Sequence, residues 1–149
     1  MDNLQRILCI FRELTGKAFD RNNYENRLLL QKLAYMLSSR DSSFAYAFNW
    51  YIRGPYSPKL TKEFFGMEEG FESGGILSRA DKENVETMRR TLQRVDSRAS
   101  ELAASLIYIS KLRKLEGGKL AESLLNLKPW FEEKEVKEAI VRLKEYGFI

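Results

Sequence analysis

The chain has 149 residues, 44% hydrophobic and 31% charged, with a formal net charge of +4, one cysteine and no histidine. That length supports a single domain with a real core and no need of disulfides or metals. The missing imidazole excludes Ser-His and Cys-His catalysis, histidine metal ligation and the usual proton shuttle near neutral pH. Cys9 alone cannot form an intrachain disulfide or a thiolate zinc site, so no cofactor is expected.

No apolar run approaches the roughly 20 residues a membrane span needs, and the N-terminus carries no signal-peptide pattern. The expectation is a cytoplasmic protein without a membrane partner. The mild positive charge permits contact with phosphate or an acidic protein and requires neither.

Leu4, Ile7, Leu8, Phe11 and Leu14 recur at helical spacing, predicting an amphipathic helix stopped near Gly16. Cys9 lies inside that stripe and reads as core packing. Asn22 or Asn23 caps a second helix over 24–39, with Leu29, Leu30, Leu33, Met36 and Leu37 as its main stripe. Tyr24, Leu28, Gln31 and Tyr35 occupy another face, so this helix is expected to pack on two sides. Residues 40–43 are a polar loop, and the aromatic stretch 44–53 favours one or two short strands. Gly54-Pro55 is expected to turn the chain. Ser57 followed by Pro58 is a helix start: a hydroxyl for an early backbone N–H, then a proline whose missing donor costs nothing there.

The glycine-containing segment 70–77 reads as a loop or a small hairpin. Ser78, with Asp81 three residues on, opens a helix striped by Val85, Met88, Leu92 and Val95. Asp96-Ser97 is a joint. The most apolar helix, 99–115, is expected at the centre of the fold and to end at Gly117-Gly118. Residues 119–127 and 132–146 form two further helices around a Lys128-Pro129-Trp130-Phe131 corner. The acidic start and basic end of the last one match the helix dipole.

The fold class is therefore mainly α, a compact multi-helix domain with a small aromatic β-corner and a winged helix as the variant. It is read as one domain, 1–149. Its 1–78 part carries the corner, and its 79–149 part ends in a helix-turn-helix-like hairpin.

The helix reading Asn26-Arg27-Leu28-Leu29-Leu30-Gln31-Lys32-Leu33-Ala34-Tyr35-Met36-Leu37 precedes the corner Trp50-Tyr51-Ile52-Arg53-Gly54-Pro55-Tyr56-Ser57. Together they resemble the YwgA-like and Panacea-domain families, in which a helix of the form LQKLxYxL is followed by an aromatic before Gly-Pro and then by a helix. The likeness covers roughly residues 24–65. It implies a small helical regulatory domain associated with toxin neutralisation or mobile elements, and it brings no catalytic residues. Arg53 stands where such sequences often carry an uncharged residue.

Arg27, Gln31, Tyr35, Tyr51, Arg53 and Tyr56 form the candidate recognition set. Helical spacing puts Gln31 and Tyr35 on the face of Arg27. They read as a polar-aromatic groove for a peptide or phosphate, or as ring-stacked arginines that hold the corner rigid through loop carbonyls. In the alternative reading Lys59 and Lys62, on the helix after Ser57, enter a DNA major groove beside a wing at 70–77. Glu63, Glu68 and Glu69 weaken that face. Arg89, Arg90, Arg94 and Arg98 are the densest basic cluster, and Arg90, Arg94 and Arg98 share a face only if the helix continues. Glu86 four residues before Arg90 favours a solvated, salt-bridged surface instead. The sequence therefore points to a non-enzymatic regulatory or adaptor module binding another protein, antitoxin-like by resemblance. A winged helix-turn-helix regulator binding nucleic acid is the alternative.

Overall fold

A computed structural model describes residues 1–71 and 75–149, which form seven α-helices and one two-stranded antiparallel sheet. The mainly helical class with a small β-corner is what the sequence pattern predicts. Helix α1 (Asn3–Thr15) starts at Asp2, whose carboxylate accepts the Gln5 N–H at 2.8 Å, and stops at Gly16 with a left-handed φ of 76°. Helix α2 (Tyr24–Arg40) is capped by Asn23. It buries Leu28, Leu29, Leu30, Leu33, Ala34, Met36 and Leu37, and with them Gln31 and Lys32. A helix covered on nearly every side is a core helix.

The aromatic segment forms a hairpin of β1 (Asn49–Tyr51) and β2 (Gly54–Tyr56), with Trp50 opposite Pro55 and Tyr51 opposite Gly54. The turn therefore falls on Ile52 and Arg53, two residues before the expected Gly54-Pro55. Neither takes a positive φ, so the left-handed position passes to Gly54, at φ +97°. A Cβ there would also lie 2.8 Å from Ser105 Oγ. Glycine thus serves close approach to the helix below as well as the turn. Pro55 sits in an edge strand, where its missing N–H breaks no ladder. Ser57 then caps α3 (Pro58–Gly66), its Oγ accepting the Leu60 N–H at 3.2 Å.

Ser78 caps α4 (Arg79–Leu92) by accepting the Asp81 N–H. The buried Asp81 carboxylate takes a two-point contact from Arg6 at 2.8 and 3.1 Å, fastening α4 to α1. Helix α5 (Ser97–Arg113) begins at an Asp96 cap and lies along α2 at the centre of the fold. It ends earlier than expected because Lys114 turns left-handed, and Gly117-Gly118 open α6 (Gly117–Leu127) rather than closing α5. Helix α7 (Glu133–Glu145) starts with Glu135 reaching back to the Glu132 N–H at 2.8 Å. Leu8, Phe11, Leu30, Met36, Leu106, Ile107, Leu124 and Val136 belong to one connected core. Truncating any of these leucines to alanine should cost about 2–5 kcal/mol.

The loop-or-wing question over 70–77 falls partly on residues 72–74, outside the described residues; Gly75, Ile76 and Leu77 are not in a strand. Among the described residues no helix is long and apolar enough to cross a membrane.

Candidate functional site

The hairpin, the N-terminal half of α2 and helix α3 enclose a groove of about 400 Å³. Five of the six predicted recognition residues line it: Arg27, Gln31, Tyr51, Arg53 and Tyr56. Tyr35 does not, although helical spacing put it on their face. Its ring packs edge-on against Phe48 at 5.1 Å and near Tyr108 at 6.0 Å, and burial raises its pKa. The hairpin covers α2 unevenly, so one helical face serves two neighbourhoods.

Gln31 is structural. Its Oε1 accepts the Ser57 N–H at 2.8 Å while its Nε2 donates to the Ser57 carbonyl at 3.0 Å and to Thr61 Oγ1 at 2.9 Å. Both backbone groups at the start of α3 are satisfied by one amide. Arg27 donates to the Arg21 carbonyl at 3.0 Å and lies over the rings of Tyr24 and Phe65. Those partners lie before α2, in its first turn and on α3, so Arg27 ties these elements together rather than holding the corner itself. Tyr51 and Tyr56 meet at 4.9 Å, and the Tyr56 hydroxyl accepts from Thr61 Oγ1.

Arg53 takes a different partner from the expected loop carbonyls. Its Nε donates to Glu101 Oε1 at 2.6 Å, while Lys128 Nζ donates to Glu101 Oε2 at 3.0 Å. Lys128 also reaches the Ile52 carbonyl and lies over the rings of Trp50 and Trp130. Lys32, from the floor of the groove, donates to the Pro55 carbonyl at 2.7 Å. Lys32 and Lys128 are each only 1% exposed. Two cations thus hold one carboxylate, and the buried Lys32 feels its charge without pairing with it. Burial pushes Lys32 down to about 8, with Lys128 and Arg53 adding to that effect and Glu101 opposing it.

Lys32, Glu101 and Lys128 were missed by the sequence reading. The available signal for Lys32 and Glu101 was a charged residue inside a largely apolar helical run, since such residues are almost never buried without a partner; Lys128, just past the end of α6, carried no such signal. Trp50 is half-buried and packs on Tyr108 of α5 at 5.3 Å, with Lys128 over its ring.

The rim of the groove is apolar and open. Ile52 is 89% exposed, Tyr24 53% and Phe65 51%. The basic residues of the nucleic-acid alternative lie elsewhere. Lys59 and Lys62 are exposed on α3, with Lys59 Nζ over the Tyr46 ring and the Tyr46 hydroxyl bonded to Glu63 at 2.6 Å. Gln93, at φ +60°, breaks the helix after Leu92, so Arg90, Arg94 and Arg98 share no continuous face. Arg90 pairs with Glu86, Arg94 with Asp96 and Arg98 with Glu135. Among the described residues no group of three or more His, Cys, Asp or Glu side chains is arranged to hold a metal ion.

No family model, curated protein or solved structure matches the chain.

Proposed function

We propose that this chain is a non-enzymatic regulatory or adaptor module that holds a segment of another protein in the groove between α2, the hairpin and α3. The observation that supports this most is the make-up of that groove. Exposed Tyr24, Tyr51, Ile52 and Phe65 surround arginine and lysine side chains fixed by the fold. Tyrosine and arginine are the residue types that dominate binding energy at protein interfaces, and their mountings are already rigid. Clustered exposed apolar side chains mark contact surfaces more often than isolated ones do. The likeness to YwgA-like and Panacea-domain sequences would make the partner a toxin and the module antitoxin-like, acting in the cytoplasm.

The DNA-binding alternative is favoured by one observation, the exposure of Lys59 and Lys62 on α3. A salt series of fluorescence anisotropy on a mixed-sequence duplex separates the two readings, because phosphate neutralisation makes affinity fall steeply with ionic strength. The protein-binding reading predicts weak, sequence-indifferent binding near physiological salt. Sub-micromolar binding there, abolished by Lys59→Glu with Lys62→Glu, would replace it with the DNA reading.

A further inference from the structure

We propose that Lys32 and Arg53 form an anion subsite in the floor of the groove, taking the carboxylate of an aspartate or glutamate on the partner's segment. The inference rests on the groove being the partner site. Charge complementarity carries it. Arg27, Lys32 and Arg53 line the groove, and no aspartate or glutamate does. Glu101 lies behind them with both oxygens engaged by Arg53 and Lys128. Among the described residues Lys32 makes no ion pair within 4.0 Å, although it is almost wholly buried. A buried ammonium without a carboxylate is costly, and an incoming one would relieve it.

Donors remain for that carboxylate. Arg53 holds Glu101 through Nε, which leaves its two terminal amino groups, and Lys32 spends one N–H on the Pro55 carbonyl. The supply suits two oxygens rather than the three of a phosphoryl group. Phosphate sites commonly use the backbone N–H groups at a helix N-terminus. At the start of α3 those of Ser57 and Leu60 are already taken, by Gln31 and by the Ser57 hydroxyl. The walls, Leu28, Phe64 and Phe65 with Tyr24 and Tyr51, call for apolar or aromatic neighbours on either side of the acid. The depressed pKa of Lys32 accords with a site short of negative charge.

The test is selection of a random peptide library displayed on phage, run in parallel on the wild type, Lys32→Met, Arg53→Met and Phe65→Asp, each checked for its fold by circular dichroism. Peptides enriched on the wild type and lost on Phe65→Asp should share an acidic residue at a fixed position beside apolar ones. Replacing that acid by its amide should weaken binding at least tenfold on the wild type and less than twofold on the two cation variants. A measurement on the wild type alone covers a failure of either variant to fold: the preference for acid over amide should shrink as pH rises past 8, where Lys32 loses its proton. Groove-dependent peptides without a fixed acid would overturn the subsite and leave the groove reading standing. An acid preference undiminished on both cation variants, or by raised pH, would overturn it too. Phosphoserine binding tenfold tighter than glutamate at the same position would make the site a phosphate receptor instead. No enrichment that depends on Phe65 would overturn both readings.

Discussion

Arg53 Nε meets Glu101 Oε1 at 2.6 Å, which ties the turn of the hairpin to the N-terminal part of the central helix α5. The same carboxylate, 2% exposed, holds Lys128 from the α6–α7 corner. Glu101 therefore anchors the hairpin turn twice, through Arg53 and through Lys128, which also reaches the Ile52 carbonyl. Glu101→Gln would leave Lys128 buried and uncompensated, so it should destabilise the fold by about 3–5 kcal/mol in urea titration. Lys128→Met removes one of three mutually repelling cations and should cost clearly less. Equal losses would show that the cluster is packing and not charge.

Lys32 gives the stability a definite pH dependence. Its pKa in the folded protein lies near 8 against 10.5 in the unfolded chain, so the unfolded chain binds more protons between those values. The penalty of burying the ammonium is fully present below pH 8 and is relieved as pH climbs toward 10.5, a gain of up to about 3 kcal/mol. Tyr35 and Tyr46, whose folded pKa values burial raises, act oppositely above about pH 10. The quantity to measure is therefore the difference between wild type and Lys32→Met across the range. It should change in the wild type's favour from pH 8 upward; a flat difference would contradict the account.

Gly54 and Gln31 fix the geometry of the groove from opposite sides. Gly54→Ala would force a side chain into a φ of +97° and a Cβ to within 2.8 Å of Ser105 Oγ, with an expected loss of about 2 kcal/mol. Gln31→Leu would strand the buried Ser57 N–H, while the Ser57 carbonyl keeps the Thr61 N–H, costing about 1–3 kcal/mol. Thermal melts of the two variants check both values, and an unchanged midpoint in either would contradict its assigned role.

Trp50→Ala should cost about 2 kcal/mol, less than the 3–5 typical of a fully buried ring, since Trp50 is half-buried on Tyr108. Its indole fluorescence should respond to Lys128→Met, because Lys128 Nζ lies 5.4 Å from the Trp50 ring centroid. An unresponsive signal would place the ammonium elsewhere.

The helices were legible in the sequence because their caps are local. Asp2, Asn23, Ser57, Ser78 and Asp96 each accept an N–H within three residues, and such patterns survive without tertiary knowledge. The hairpin turn was misplaced by two residues because Gly-Pro looks like a turn signal, while here the glycine serves the position after the turn. Gly117-Gly118 misled similarly, since glycine marks a helix end and can also stand at a helix start. Much of the groove was visible as an aromatic corner facing Arg27 and Gln31. Its charged floor was not, because Lys32, Glu101 and Lys128 lie 27 to 96 residues apart and come together only through packing of α2, α5 and the α6–α7 corner. Helical spacing equally could not separate Tyr35 from Gln31, as only the hairpin's placement divides them.

Site-specific photo-crosslinking tests the central claim most directly. A benzophenone side chain would replace Phe65 at the groove rim, or Lys134 on the exposed face of α7 as the control, in the protein's native cells. The account predicts a discrete protein adduct from position 65 that is absent from position 134 and is lost when Lys32→Met and Arg53→Met are added together. Adducts of equal yield from both positions, or none from position 65 while position 134 is labelled, would contradict a partner site in the groove.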